Sequence, residues 1–378
     1  MQIYDDNLYN DEDDQIDELI SRFMPSLALE YQAPRLELDL AYTLDYRVYA
    51  MGERGDEDVH FLEAISLLNW KEFAYLEILD RYSRVSLDSK RDYREESLFA
   101  NQSNQNLFSI SPYLQLRPTA RTSLKAGYQY VNIYYEEERG QDKEHHIAFL
   151  EGSRELTDRL VARAGYKYVD ENVKDSTTEI DNDRHDLWTG LRYQLGENSY
   201  LFGTIGYSWI SFADGAGKDD LFWDFGASHD FRLLVATASL GVRYVEDPEG
   251  SILREENYRL ALHRDWDRGR LAASASYAEF YDPQLDLLDT RRYGGSASFI
   301  RELTERLNGT ATFSAFRYEE EIDDTWTRRL IGSLGLAYQA SRDVTASLTY
   351  YRIDSHSPQL PEDRYETNRI FLELKKVF

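Results

Sequence analysis

Hydrophobic and polar residues alternate along most of this chain with a period of two, the pattern of β-strands with two different faces. The segment that begins at Leu36 is typical: leucine and tyrosine take the even positions, and the odd positions include Glu37, Asp39 and Asp45. Segments that begin at Ser123 and Leu160 repeat the pattern. The sequence therefore predicts an all-β protein.

The length of these segments and of their connections indicates a membrane barrel. They run roughly 10 to 16 residues, whereas strands of soluble sheets usually have five or six. Tight connections, as at 32–34 and 118–120, alternate with long polar ones, as at 170–183 and 355–363. Outer-membrane barrels have short periplasmic turns and longer extracellular loops. We predict one domain over residues 1–378, a single transmembrane antiparallel up-and-down β-barrel of about 20 strands (18–20).

Aromatic residues end several of the apolar faces, where lipid would meet water. The candidate girdle residues are Tyr128, Tyr130, Tyr166, Tyr168, Tyr207 and Trp209. The segment AGYQYV (126–131) recurs as AGYKYV (164–169), which indicates repetition of one structural unit. We expect the glycines of this repeat, Gly127 and Gly165, to face the lumen and to relieve crowding there.

If leucine and tyrosine face lipid, the alternate positions place charges in the lumen. The candidate pore-lining residues are Lys125, Arg163, Lys167, Arg192, Arg243, Glu37, Asp39 and Asp45. If basic and acidic residues lie on opposite walls, they would set the selectivity of a channel for ions and solutes. The alternative, that these charges only pair with one another, stays open. A barrel of this size is wide enough for a channel. Residues 87–106 form the longest loop and are expected outside the barrel or folded inward as a constriction.

Composition narrows the possible functions. The 378 residues carry a formal net charge of -26, which argues against a nucleic-acid partner. The 29 Tyr, 17 Phe and 6 Trp argue against disorder, and the absence of Cys excludes disulfides, thiol chemistry and covalent c-type haem. No apolar stretch is long enough for a transmembrane helix, and no apolar leader follows Met1. We expect that a signal peptide has been removed and that the first strand, near residues 1–9, is incomplete at its N-terminus.

The sequence predicts no enzyme, no catalytic residues and no cofactor. No Gly-x-Ser-x-Gly, HExxH or P-loop motif occurs. His145 and His146 are adjacent on a strand, where side chains point to opposite faces, so they would chelate a metal poorly. Acidic runs at 11–14 and 136–138 have ligands for Ca²⁺ or for divalent bridges to lipopolysaccharide, but solvated loops are the favoured interpretation. No metal site is predicted.

The end of the chain is a candidate assembly signal. Ile370, Leu372 and Leu374 alternate along one face, and the chain ends at Phe378. This strand resembles the terminal strands that the barrel-assembly machinery recognises, although Lys376 interrupts the apolar positions.

Several segments resemble a family. They are YDDNL (4–8), MPSL (24–27), the strand 36–49, LFSISPYL (107–114) and the strand 122–135. These segments resemble the outer-membrane β-barrel proteins associated with PEP-CTERM/exosortase systems, a β-barrel porin type found beside exopolysaccharide gene clusters. The resemblance implies an outer-membrane location and an exopolysaccharide context, and it carries no catalytic residues.

Three functions follow, in order of preference. The first is a porin-like conduit linked to exopolysaccharide export or surface-polymer secretion. The second is a scaffold that holds a partner in its lumen, for example a cytochrome, and the least favoured is a lipase or protease at the rim. The expected partners are outer-membrane lipid and lipopolysaccharide, the barrel-assembly machinery, and polysaccharide or periplasmic export components.

Overall fold

The computed structural model describes residues 1–8, 15–91, 101–174, 181–215, 217–250 and 252–378. The alternating segments form antiparallel strands of one sheet. The first eleven are β1 (Gln2–Asp5), β2 (Glu18–Phe23), β3 (Ser26–Ala33), β4 (Leu36–Tyr49), β5 (Glu57–Lys71), β6 (Ala74–Ser86), β7 (Gln102–Thr119), β8 (Thr122–Tyr135), β9 (Lys143–Thr157), β10 (Leu160–Val173) and β11 (Asn182–Gly196). The remaining ten are β12 (Ser199–Phe212), β13 (Gly217–Asp230), β14 (Val235–Glu246), β15 (Ile252–Trp266), β16 (Gly269–Asp282), β17 (Leu287–Thr304), β18 (Leu307–Glu320), β19 (Thr325–Gln339), β20 (Val344–His356) and β21 (Tyr365–Lys376). A 3-10 turn, Pro361–Asp363, precedes β21.

The sheet closes on itself. β1 pairs with β2 on one side and with β21 on the other, and the remaining neighbours follow chain order. β2 and β3 both pair with β4, at Tyr46–Tyr49 and at Leu36–Thr43, so together they occupy one position in the wall. The result is a closed barrel of 20 strands, and the predicted fold class is confirmed.

The sequence pattern predicts one strand near 15–31, but the structure divides it into β2 and β3 at Met24 and Pro25. Proline has no N–H to give to the ladder. Its carbonyl still accepts a hydrogen bond from the Leu44 N–H at 3.1 Å. The wall therefore stays continuous across the break.

The two ends of the barrel differ in their connections. At one end, connections of two to four residues join β3 to β4, β5 to β6 and the later pairs as far as β19 to β20. We call this the short-turn end. The connections at the other end, the long-loop end, have four to fifteen residues. The predicted alternation of short and long connections is present.

Alternate residues of each strand face opposite sides of the wall. The outer face carries exposed leucines and aromatics, among them Leu150, Leu191, Phe313 and Leu334, the last 63% exposed. Apolar surface of this extent around a barrel is expected to contact lipid. Among the described residues no helix is long and apolar enough to span a membrane.

Candidate functional site: the barrel lumen

The lumen has two halves with different interiors. Toward the long-loop end, inward side chains are fully buried, as for Val59, Ile210 and Phe280. Toward the short-turn end, inward side chains such as Glu37 and Arg192 are exposed. We call these the closed half and the open half. The same alternating strands form the wall of both halves. The burial in the closed half must therefore come from segments that lie inside the barrel.

The first segment that fills it is the inner loop, residues 87–91 after β6. Leu87 packs against Val131, Ile133 and Tyr135 on the inner face of β8. Lys90 Nζ donates to Asp289 Oδ2 on β17 at 2.9 Å. The inner loop thus crosses the lumen to the wall at β17, and this part of the predicted constriction, residues 87–106, is folded inward. Residues 92–100 lie outside the described residues.

Ion pairs fix the far end of the inner loop. Arg91 Nη1 donates to Asp363 Oδ2 at 2.8 Å, and Arg91 also pairs with Glu320. Asp363 in turn lies 3.8 Å from Arg329, which has 0% exposure. Burial would raise the pKa of Asp363, but Arg91, Thr327 and Arg329 outweigh it and hold that pKa below its usual range. The carboxylate therefore compensates two buried guanidinium groups.

The charge of Lys90 is also compensated. Burial would lower the pKa of Lys90, but the hydrogen bond and the charge of Asp289 outweigh it and raise that pKa. Arg292 Nη1 donates to the Lys90 carbonyl at 3.0 Å. A buried charge is tolerated when it is paired and hydrogen-bonded, as here.

The second segment is the inner hairpin, residues 243–250 and 252–255, which joins β14 to β15. β13 pairs with β14 only as far as Trp223 and Val242, although β13 continues along β12 to Gly217. Beyond that point β14 separates from β13, whereas β15 stays paired with β16 as far as Arg254. Tyr244 packs with a cluster on β12. Val245 packs with Ala278 and Phe280 on β16.

The tip of the inner hairpin reaches β8 and β9. The Gln141 N–H donates to the Pro248 carbonyl at 2.8 Å, and Lys143 Nζ donates to the Asp247 carbonyl. Tyr135 OH donates to Glu246 Oε1 at 3.1 Å. Burial raises the pKa of Asp247, and the nearby charges of Lys90 and Lys143 oppose that rise only in part. Lys90 of the inner loop thus lies close to the inner hairpin.

Three predicted pore-lining residues lie in or beside the closed half. Asp45 has 0% exposure and accepts hydrogen bonds from Arg22 at 2.8 Å and Arg47 at 2.9 Å. Arg243 belongs to the inner hairpin and pairs with the buried Glu255 at 2.7 Å. Lys167 is half-buried, level with Asp186 of the closed half.

The other five predicted pore-lining residues lie in the open half. Glu37 and Asp39 are exposed on β4, in an acidic sector with Glu30, Glu63 and Glu77. Lys125, Arg163 and Arg192 lie on β8, β10 and β11. The two groups occupy nearby sectors, since β4 and β10 are six strand positions apart among twenty. The sequence had suggested that they face each other.

The outer face carries the predicted girdle. Tyr128, Tyr166 and Trp209 are exposed on the side nearer the long loops. Tyr166 OH bonds His185 Nδ1 at 2.7 Å, and Tyr168 OH donates to Asp183 at 2.7 Å. Tyr130 and Tyr207 share this face and are half-buried. Two of these rings therefore have polar neighbours on the outer face, and their role as a girdle stays a prediction.

The last strand presents the candidate assembly residues outward. Ile370, Leu372 and Leu374 are exposed on the outer face of β21, and Phe378 follows the end of the strand. The acidic run 11–14 lies outside the described residues. Among the described residues no cluster of three or more His, Cys, Asp or Glu is arranged to hold a metal ion.

Comparison with known proteins establishes the fold. The chain matches no protein-family model and no curated protein sequence. The siderophore receptor PirA from Pseudomonas aeruginosa is similar in structure, with a TM-score of 0.52 and 9% identity over 100% of this chain and 80% of that chain. The FrpB iron transporter from Neisseria meningitidis (F3-3 variant) has a TM-score of 0.51 and 10% identity over 100% of this chain and 81% of that chain.

A third similar structure is the ferric citrate transporter FecA in its unliganded form, with a TM-score of 0.54 and 12% identity. The aligned region covers 93% of this chain and 65% of the FecA chain. These neighbours are outer-membrane β-barrel proteins. At such low identity the likeness concerns the fold of this chain and not its cargo.

Proposed function

We propose that this protein is a channel of the bacterial outer membrane, with a lumen that solutes enter from the short-turn, periplasmic end. One observation carries the proposal: exposed charges line the open half, while exposed leucines and aromatics cover the outside of the same strands. Such a wall separates an aqueous compartment from lipid. The resemblance to barrels found beside exopolysaccharide gene clusters favours a surface polysaccharide as the solute.

The inner loop and the inner hairpin act as the gate of this channel. Both occupy the lumen at the long-loop end and both are held by polar contacts that a local rearrangement can release. A partner threaded through the barrel would need the same space. The filled closed half therefore favours a gated conduit over a scaffold for a cytochrome. No catalytic role is proposed.

Conductance of the refolded protein in a planar bilayer tests this function. We expect the native protein to stay mostly closed and Arg91→Gln, which removes the ion pairs with Glu320 and Asp363, to open much more often. Arg121→Gln is the matched control, because Arg121 pairs with Asp158 at 2.7 Å on the exposed short-turn end. Arg121→Gln should conduct like the native protein.

One result of this experiment would contradict the gate. If Arg91→Gln is folded and inserted, yet silent under all voltages, the inner loop is not a gate. A partner that co-purifies in stoichiometric amounts would then favour the scaffold function.

A further inference from the structure

A band of aromatic rings lines the lumen along consecutive strands. On β7, β9, β11 and β13 an inward position carries an aromatic residue, and each strand between them carries an inward glycine. The glycines on β8 and β12 pair with a ring on both sides, whereas the glycine on β10 pairs with the ring on β11 and with Glu151 on β9. The rings belong to Tyr113, Phe149, Trp188 and Phe222, and the glycines are Gly127, Gly165 and Gly206. We call the four rings the aromatic belt.

The glycines let the rings lie against the wall. A Cβ on Gly165 would be 2.6 Å from Trp188 Cε2 and 2.7 Å from Nε1, so the indole covers the glycine. A Cβ on Gly127 would be 2.7 Å from Phe149 Cζ and 2.6 Å from Tyr113 Cβ. The Phe149, Trp188 and Phe222 rings therefore rest on neighbouring glycines. The Tyr113 ring stacks on Tyr75 at 5.1 Å between centroids, and all four rings are half-exposed.

Cations accompany the belt. Lys125 Nζ lies 4.1 Å from the centroid of the Tyr113 ring and 5.3 Å from that of Phe149. Arg163 is exposed two residues nearer the short turns than Gly165, and Arg192 is exposed four residues nearer than Trp188. The Arg192 guanidinium lies 4.3 Å from the centroid of the Tyr200 ring. Among the described residues, none of these three cations has a carboxylate within salt-bridge distance. Glu151 is the cross-strand neighbour of Lys125 but forms no ion pair with it. In a chain with 69 acidic and 43 basic residues, a group of three cations outside ion pairs favours an anionic ligand.

The opposite wall supplies hydroxyl groups. From β16 to β20 the inward positions of the open half are rich in serine and threonine. Ser274 and Ser296 are hydrogen-bonded at 2.7 Å, and Thr312 and Ser333 form a second pair. A ligand on the aromatic belt thus faces a neutral surface that both donates and accepts hydrogen bonds.

We propose that the aromatic belt binds a carboxylate-bearing oligosaccharide, an inference that rests on the proposed conduit and specifies its solute. The C–H faces of pyranose rings pack on aromatic faces, and the carboxylates pair with Lys125 and Arg163.

Titration calorimetry of the refolded protein in detergent tests the site without any need for conduction. The probes are trigalacturonate, neutral maltotriose and citrate. We expect trigalacturonate to bind, and maltotriose and citrate to bind at least about tenfold more weakly, because each lacks one of the two recognised features. Equal binding of maltotriose would overturn the role of the cations, and equal binding of citrate would overturn the role of the rings.

Two variants locate the site. Trp188→Leu and Lys125→Gln should each weaken trigalacturonate binding about tenfold. Trp209→Leu, on the outer face, should leave it unchanged. If Trp188→Leu does not refold, Lys125→Gln decides, because its side chain is a half-exposed charge that the wall does not need. Native binding by both variants would overturn the proposal, whereas binding without conductance would overturn only the conduit.

Discussion

The closed and open halves of the lumen are built by the same strands and differ in almost every inward side chain. In the closed half the inward positions hold Val59, Ile210, Phe280 and paired charges such as Asp45. In the open half they hold exposed charges, serines, threonines and the aromatic belt. The outer face shows no such division until it reaches the girdle. The alternation therefore determines whether a side chain faces the lumen or the outside. The inner loop and the inner hairpin determine which of the lumen-facing side chains are in contact with water.

The largest effect is expected where the closed half depends on one carboxylate. Asp363→Ala leaves the buried Arg91 and Arg329 without their shared partner. Removing one member of a buried pair costs about 3–5 kcal/mol. Urea unfolding in detergent should show this loss. The control Asp158→Ala breaks an exposed pair with Arg121 and should cost no more than about 1 kcal/mol. Similar losses for both variants would show that the closed half is not specially stabilised.

A smaller loss is expected in the aromatic belt. Gly127→Ala places a Cβ 2.7 Å from the Pro112 carbonyl oxygen, a backbone atom that cannot move aside cheaply. Such overpacking costs about 1–3 kcal/mol. Gly332→Ala, on the outer face, meets no atom within 4 Å and should be close to neutral in the same urea titration. Equal stability of the two variants would mean that the rings do not rest on the glycines.

Acid should weaken the closed half. Because the pKa of Asp363 is lower in the folded protein than in the unfolded chain, its ionisation stabilises the fold above the unfolded value, near pH 4. That stabilisation is lost as the pH falls through the folded pKa. Channel opening in bilayers should therefore increase below about pH 4. Asp363→Asn should abolish this step, and an unchanged step would assign it to another group.

The smallest effect is expected on ion selectivity in the open half. Neutralising Glu37 and Asp39 together removes exposed negative charge and should shift the reversal potential in a salt gradient toward anions. Arg163→Gln should shift it toward cations. Each shift should be a few millivolts and shrink at high salt, since exposed charges are screened. Shifts of the same sign would show that these residues lie outside the conducting path.

Much of the wall could be predicted from the sequence, because a period of two survives along most of the long strands. The sequence did not predict whether a lumen-facing residue lies in the closed half or in the open half. Asp45 continues the pattern of Glu37 and Asp39, yet it lies among buried arginines, since alternation says nothing about what fills the lumen. The break at Pro25 was missed because the strands on either side keep the same register of faces.

The residues around the inner hairpin depart from the alternating pattern, and the sequence analysis did not use this departure. Around it the alternation fails, since Gly241 and Val242 are both buried, as are Ile252 and Leu253. Two consecutive buried residues on a barrel strand indicate that both faces are covered. The aromatic belt was half visible, because Gly127 and Gly165 were recognised as inward glycines. Their ring partners lie on neighbouring strands, and the register that joins them comes only from the sheet.

Tyr135 touches both inward segments at once. Its ring packs beside Leu87, and its hydroxyl bonds Glu246. Departure of either segment removes support from the other, so their free energies of release are coupled and not additive. The barrel should therefore switch cooperatively, with single-channel records that show one full step and few intermediate levels.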